Sequence, residues 1–507
     1  MSNFKLYTLA FLCLICSSTV LTSCKKDRGE NPEVATPGPD QNFYALTNDN
    51  KLLALNAKSS STILSQVSIT GLQTGENILG IDFRPATGQL YGIGSTNRLY
   101  VIDYKTGAAR AIGTSTFATA LSGSNFGFDF NPTVDRIRLV SSNGQNLRLN
   151  PETGTVMIVD GAINGVTNAK VSSVAYTSNR AGAASTTLFD IDAETNKLYK
   201  QDPPNDGKLV EVGNLGVDID EVGGFDISPD GNVSLAALQV GGKSSLFTID
   251  VASGKATKVG DFGSQITGIA IPTEPVAYAV SNANELLIFN PAAQTPTLVA
   301  KAITGIQTGE SIIGLDMRPA NGQLYALGST SRIYTINASS GAAAMVGTGP
   351  LATLIPATAV GFDFNPVADR IRIVGNNGQN FRINPADAVL VVDLPISMAG
   401  ASITGAAYTN NFAGTATTLL YDIDSTTDRL YKQDPPNNGG LVDVGPLGIN
   451  VESENGFDIG GTSGLAYGIF TVGSVQRLYS VNLTSGAATA MSTISTPVRG
   501  FTLGLGF

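Results

Sequence analysis

The sequence predicts an all-β fold assembled from repeated four-stranded units, and three observations carry that prediction. The body of the chain is duplicated; each copy holds a shorter repeat of about 44 to 51 residues; and nearly every short repeat opens on a glycine followed by an alternating apolar strand. Ile69–Glu76 (ITGLQTGE) returns at Ile303–Glu310, GFDFNP at 127–132 returns at 361–366, and LYKQDPPN at 198–205 returns at 430–437. The repeat length is that of a four-stranded β-propeller blade. The starts are Gly80 (GIDFRP), Gly127, Ser173 (SVAYTS), Gly224 (GFDISP) and Gly268 (GIAIP), then Gly314, Gly361, Gly405, Gly456 and Gly500.

Within one unit the elements follow in order. GIDFRP leads to LYGIGS, then RLYVID, a turn, and AARAIGT: four short alternating strands. The turn after the third strand recurs as Asp103-Tyr104-Lys105-Thr106-Gly107, Asn150-Pro151-Glu152-Thr153-Gly154, Asp250 to Gly254 and Asn337 to Gly341. Its Asp or Asn bonds downstream backbone and its glycine takes the left-handed conformation, so these residues are structural. The body opens with only three strands, FYALT, KLLALN and STILSQVS, and ends on a lone first-type strand, GFTLGLGF from Gly500. A propeller hides its edges by completing one blade from distant segments. GIAIP at Gly268 can likewise close a first ring before VAYAV and ELLIFN open a second. The expectation is two tandem five-bladed propellers, residues 42–274 and 275–507, because each half is self-sufficient and a small ring leaves little central space. One ten-bladed ring is the alternative; a β-helix or sandwich suits this period less well.

The N-terminal segment reads as an export signal, residues 1–23. Lys5 precedes the apolar stretch Leu6 to Leu21, which is too short and too early for a spanning helix. Leu21-Thr22-Ser23-Cys24 resembles the lipobox of bacterial lipoproteins, and the resemblance implies an acylated, palmitate-bearing Cys24. Residues 24–41 are polar and rich in proline and glycine, as a tether is. Lys25 after the cysteine resembles the sorting signal of cargo for the outer membrane, and Lys25-Lys26-Asp27 loosely resembles a surface-export tag. The expected location is therefore the outer membrane, lipid-anchored, on its periplasmic or cell-surface face, with membrane contact through the lipid alone.

Composition removes much chemistry. The 507 residues include no histidine and no tryptophan, and the three cysteines are Cys13, Cys16 and Cys24. A Ser-His-Asp triad, an imidazole metal site and a thiolate site in the body of the chain are all excluded. The net charge of −10 argues against a nucleic-acid partner. Gly242-Lys243-Ser244 lacks the glycine pattern of a phosphate loop, and Asp218-Ile219-Asp220 lacks the ligands of a calcium loop.

The duplicated pattern GFDFNPxxDRIR followed by NGQNxRxNP resembles the bacterial family known as domain of unknown function 4394, once per half. The resemblance implies an exported bacterial protein with self-contained halves, and brings no assigned activity with it.

Two constellations could carry function. Arg138 stands where the preceding unit has Tyr91, and Arg148 where it has Val101. Arg136, Arg138, Asn146 and Arg148, repeated as Arg370, Arg372, Asn380 and Arg382, form a candidate ligand site, since arginine forks grip carboxylates and sulfates. The competing reading is an internal salt-bridge network with Asp129 and Asp135 as partners. The first-strand aspartates are the second constellation: Asp82, Asp129 and Asp226, echoed by Asp316, Asp363 and Asp458. Converging on a central channel, they could bind calcium through oxygen or simply bond neighbouring backbone. The KQDPPN loop, starting at Lys200 and Lys432, is either a recognition surface or a rigid turn. The leading functional expectation is a non-catalytic binding or scaffolding module for a glycan or envelope protein; the alternative is a calcium-assisted glycan hydrolase or lyase using channel carboxylates.

Overall fold

The computed structural model describes residues 36–452 and 455–507. The export signal, Cys24 and most of the tether lie outside the described residues. Ala35–Phe507 forms one unit. It contains ten four-stranded antiparallel sheets, which is the expected all-β propeller fold. Among the described residues no helix is long and apolar enough to cross a membrane.

In the first ring, four sheets run in chain order from the innermost strand outward, beginning with Ile78–Phe83, Phe126–Asn131, Val171–Tyr176 and Glu221–Ile227. The fifth has Ile266–Ala270 innermost, paired with Asn42–Thr47, then Lys51–Asn56 and Ser65–Ser68. Its outer strand is shorter than STILSQVS suggests, because Ala57–Ser59 forms a turn of 3-10 helix before it. The second ring closes the same way, Val498–Leu503 pairing with Ala277–Ser281. The innermost strands of each set of five pack on one another in a closed circuit, so the molecule is two five-bladed rings and not one of ten blades.

Burial grades from the axis outward. Phe126–Asn131 is buried along nearly its whole length, whereas Thr155–Val159 at the rim of the same blade is largely exposed. Alternation gives each sheet two apolar faces, and adjacent blades share a core between them. Tyr91, Ile93 and Leu99 of the 78–112 blade thus pack with Phe128, Phe130 and Leu139 of the next. The glycine that opens each repeat has a steric reason. A Cβ on Gly127 would lie 2.8 Å from Val174 N, and one on Gly361 2.3 Å from Ala406 Cβ. Five inner strands can close so narrow a ring only where neighbouring backbones come this near.

Candidate functional site

Strand register decides which polar side chains meet. Asp129 is paired with Arg138 and Arg138 with Arg148, so all three leave the same face of the 126–159 sheet. That face meets the 171–214 blade: Asp129 Oδ1 accepts from Tyr176 N–H at 3.0 Å, and Arg138 Nε donates to the Tyr176 hydroxyl at 3.4 Å. Arg138 is 2% exposed. Its Nη1 donates to Asn146 Oδ1 at 2.8 Å and Asp160 Oδ2 at 2.7 Å, and its Nη2 to Asn205 Oδ1 at 2.7 Å. Arg148 grips the same Asp160 with both arms of its fork, at 2.7 and 2.8 Å. Asn146 Nδ2 donates to the carbonyls of Gly161 and Pro204. The arginines and the KQDPPN loop, separate candidates in the sequence, are therefore one structure.

The second ring repeats it. Arg372 bonds Asn380, Asp393 and Asn437, each at 2.7 Å, and Arg382 holds Asp393 bidentately at 2.8 Å. Asn380 donates to the carbonyls of Leu394 and Pro436.

The network's carboxylate is not the one expected. Asp129 accepts from Tyr176 N–H and Asp135 pairs with Arg84, at 2.9 and 2.5 Å, so neither partners Arg138 or Arg148. Asp160 and Asp393 take that role because the chain turns back after the outermost strand and delivers them beside the two guanidiniums. The signal was present in both halves as an aspartate ending the fourth strand, in MIVD and LVVD.

In the first ring the network borders a cavity of about 180 Å³, lined by Val134, Arg136, Arg138, Arg148, Pro204 and Asn205 among others. Arg136 donates only to the carbonyl of Asp135, and Arg370 only to carbonyls of Ala368 and Asp369. Asp160 thus serves two guanidiniums, Arg138 and Arg148, while burial raises the Glu152 carboxyl and Arg136 lies near enough to pull it down. Burial pushes the carboxyl of the fully buried Asp190 above the usual range, and Arg138 pulls it the other way.

The aspartates converge as two triads. Asp82, Asp129 and Asp226 each offer an oxygen within 4.8 Å of the others, and Asp316, Asp363 and Asp458 do the same. All six are 1% exposed. Each reaches the next blade's backbone: Asp82 accepts from Phe130 N–H at 2.8 Å, and Asp226 from Ile271 N–H at 2.5 Å. The second ring matches, with Phe364 on Asp316, Tyr408 on Asp363 and Leu503 on Asp458. The spacing is compatible with a cation bound at about 2.3–2.6 Å from carboxylate oxygens, while the bonds present make these residues clamps between blades. Thr502 adds a link in the second ring only, with Oγ1 2.8 Å from Asp316 Oδ1 and 2.9 Å from Asp458 Oδ2. One hydroxyl carries one proton, so it donates to one of the two carboxyls at a time. Burial pushes Asp226 up to about 7 and Asp458 up to about 6. The other four are also raised, first by burial and then by their acidic neighbours.

No curated protein matches the chain. Among solved structures, two of the BT4673 extracellular domain from B. thetaiotaomicron are similar at 12% and 11% identity, each with a TM-score of 0.26. They cover 89% and 91% of this chain, which spans 59% and 70% of theirs. The Dos1 propeller is similar at 11% identity and a TM-score of 0.25, over 66% of this chain and 91% of its own. A family model matches twice, at residues 51–270 and 285–502. The chain therefore belongs to the family described as Domain of unknown function (DUF4394), and carries that domain in two tandem copies.

Proposed function

We propose that the protein is a non-catalytic binding module whose two arginine clefts each take an anionic group, such as a carboxylate or sulfate, of a glycan or envelope protein. In this reading lipid on Cys24 holds it at the outer membrane. The observation that carries the proposal is the first-ring cleft in which Arg138 and Arg148 share one carboxylate, Asp160, beside Arg136, together with the repeat of the same wiring by Arg372 and Arg382 around Asp393. Arginine forks recognise planar anions bidentately. The channel carboxylates favour this reading over glycan hydrolysis, because at 1% exposure and bonded to backbone N–H groups they are out of reach of a polymer.

Two equal sites on one chain raise avidity for a polymer by about 10²–10⁴ when both engage. The test is calorimetric titration of the mature chain with polygalacturonate and with galacturonate monomer. Arg136→Ala or Arg370→Ala alone should weaken polymer binding by at least about tenfold while leaving half the monomer sites intact. Neither side chain bonds a carboxylate, so the fold should persist. Polymer affinity unchanged in the double variant would refute the proposal.

A further inference from the structure

A second cavity lies where the two rings meet, and its aromatic wall breaks the duplication. Tyr44, Phe83 and Tyr104 form a cluster with ring centroids 5.3 to 5.7 Å apart. They line a cavity of about 260 Å³, closed by Thr273 of the inter-ring segment and by Thr462 and Phe507 of the second ring. Matching FYALT to AYAVS, GIDFRP to GLDMRP and IDYKTG to INASSG gives Tyr278, Met317 and Ala338 as the second ring's counterparts. Those three are buried in one apolar core with Ala86 of the first ring, and the Tyr278 hydroxyl donates to Ala86 O at 2.9 Å. Contact between the rings thus fills the second ring's copy of this place, whereas Tyr44 and Tyr104 remain half-buried against the cavity.

A further observation points to a ligand. Thr273 lines the same cavity, and its hydroxyl is buried with no hydrogen-bond partner in the protein. Buried polar groups are normally satisfied, and a ligand hydroxyl met by rotation of the Thr273 side chain would satisfy this one. Lys105 ties the rim across the rings through Nζ to Thr462 O at 2.9 Å, and none of the lining residues is acidic. Aromatic walls beside hydroxyl groups suit a molecule with an apolar face and a polar edge. The volume falls below the roughly 300–1,000 Å³ of drug-sized sites, which limits the occupant to about one ring.

We infer that this junction cavity binds a neutral pyranose ring, packed against Tyr44 and Tyr104 and hydrogen-bonded by Thr273. The site uses none of the arginines and stands apart from the anion-binding proposal. The experiment is saturation-transfer NMR and calorimetric titration of the mature chain with the methyl glycosides of glucose, galactose, mannose and N-acetylglucosamine. At least one should bind with millimolar affinity. Thr273→Val should weaken it about threefold or more without lowering the melting temperature, since the hydroxyl has no partner in the protein. Tyr104→Ala should weaken it about tenfold, a change of about 1.4 kcal/mol. The Arg136→Ala, Arg370→Ala double variant should bind like wild type. Failure of all four glycosides to bind, or wild-type affinity in Thr273→Val, would overturn the inference.

Discussion

A carboxylate buried beside two others holds its proton more tightly than it would in the unfolded chain, where aspartate titrates near about 3.9. With Asp226 raised to about 7 and Asp458 to about 6, the native state binds more protons than the unfolded state between about pH 4 and 7. The stabilisation from these groups is therefore complete below about pH 4 and is lost as pH rises through 6 to 7. The melting temperature should fall between pH 5 and pH 8, as calorimetry can check. Single variants separate the members of a triad. Asp129 accepts one backbone N–H, from Tyr176, so Asp129→Asn keeps that bond and turns an amide donor toward its acidic neighbours. At pH 8 it should stabilise by about 1 kcal/mol and flatten the pH dependence. Both Asp226 oxygens already accept, from Ile227 and Ile271, so Asp226→Asn sets a donor against a donor and should cost about 1–3 kcal/mol. The six aspartates were legible in the sequence because the repeat aligns them. The partnership of Asp160 with Arg138 and Arg148 was not, because a turning loop and not a strand register brings it about.

At the scale of the element, the glycines that open each blade set the width of the ring. Gly361→Ala would drive a Cβ to 2.3 Å from that of Ala406, and should destabilise by about 2–3 kcal/mol as an overpacked core does. Gly349, with no atom within 4 Å of its added Cβ, is the control: Gly349→Ala should stay within about 0.5 kcal/mol. Denaturant titration of both variants measures the contrast. Four strands per blade were readable from period-2 alternation between glycine-bearing turns. The short rim strands were less so, since Ser65–Ser68 and Leu390–Val392 are partly or fully exposed and carry little apolar pattern.

At the scale of the molecule, duplication places equivalent ion pairs in unequal surroundings. Arg84 and Asp135 are 0% and 2% exposed at the side chain, and Arg84 Nη1 also donates to Asn321 O of the second ring at 3.3 Å. Their counterparts Arg318 and Asp369 are 20% and 39% exposed. Removing Asp135 leaves the buried Arg84 only its longer 3.3 Å contact with Glu152, so Asp135→Asn should cost about 3 kcal/mol. Asp369→Asn should cost at most about 1 kcal/mol, because solvent screens the arginine left behind. Urea unfolding of the two variants tests the difference, and equal losses would show that the inter-ring contact does not bury Arg84 in solution.

The all-β blades, their number and the completion of each ring by a distant strand followed from the sequence, because alternation, turn chemistry and repeat length are local properties written into every unit. Which residues share a site did not follow. Arg138 meets the DPPN loop, Asp135 meets Arg84, and Tyr44 faces a cavity while Tyr278 is buried. Those outcomes depend on how blades pack face to face and how one ring sits against the other, and near-identical local sequences carry no record of contacts that differ between the copies.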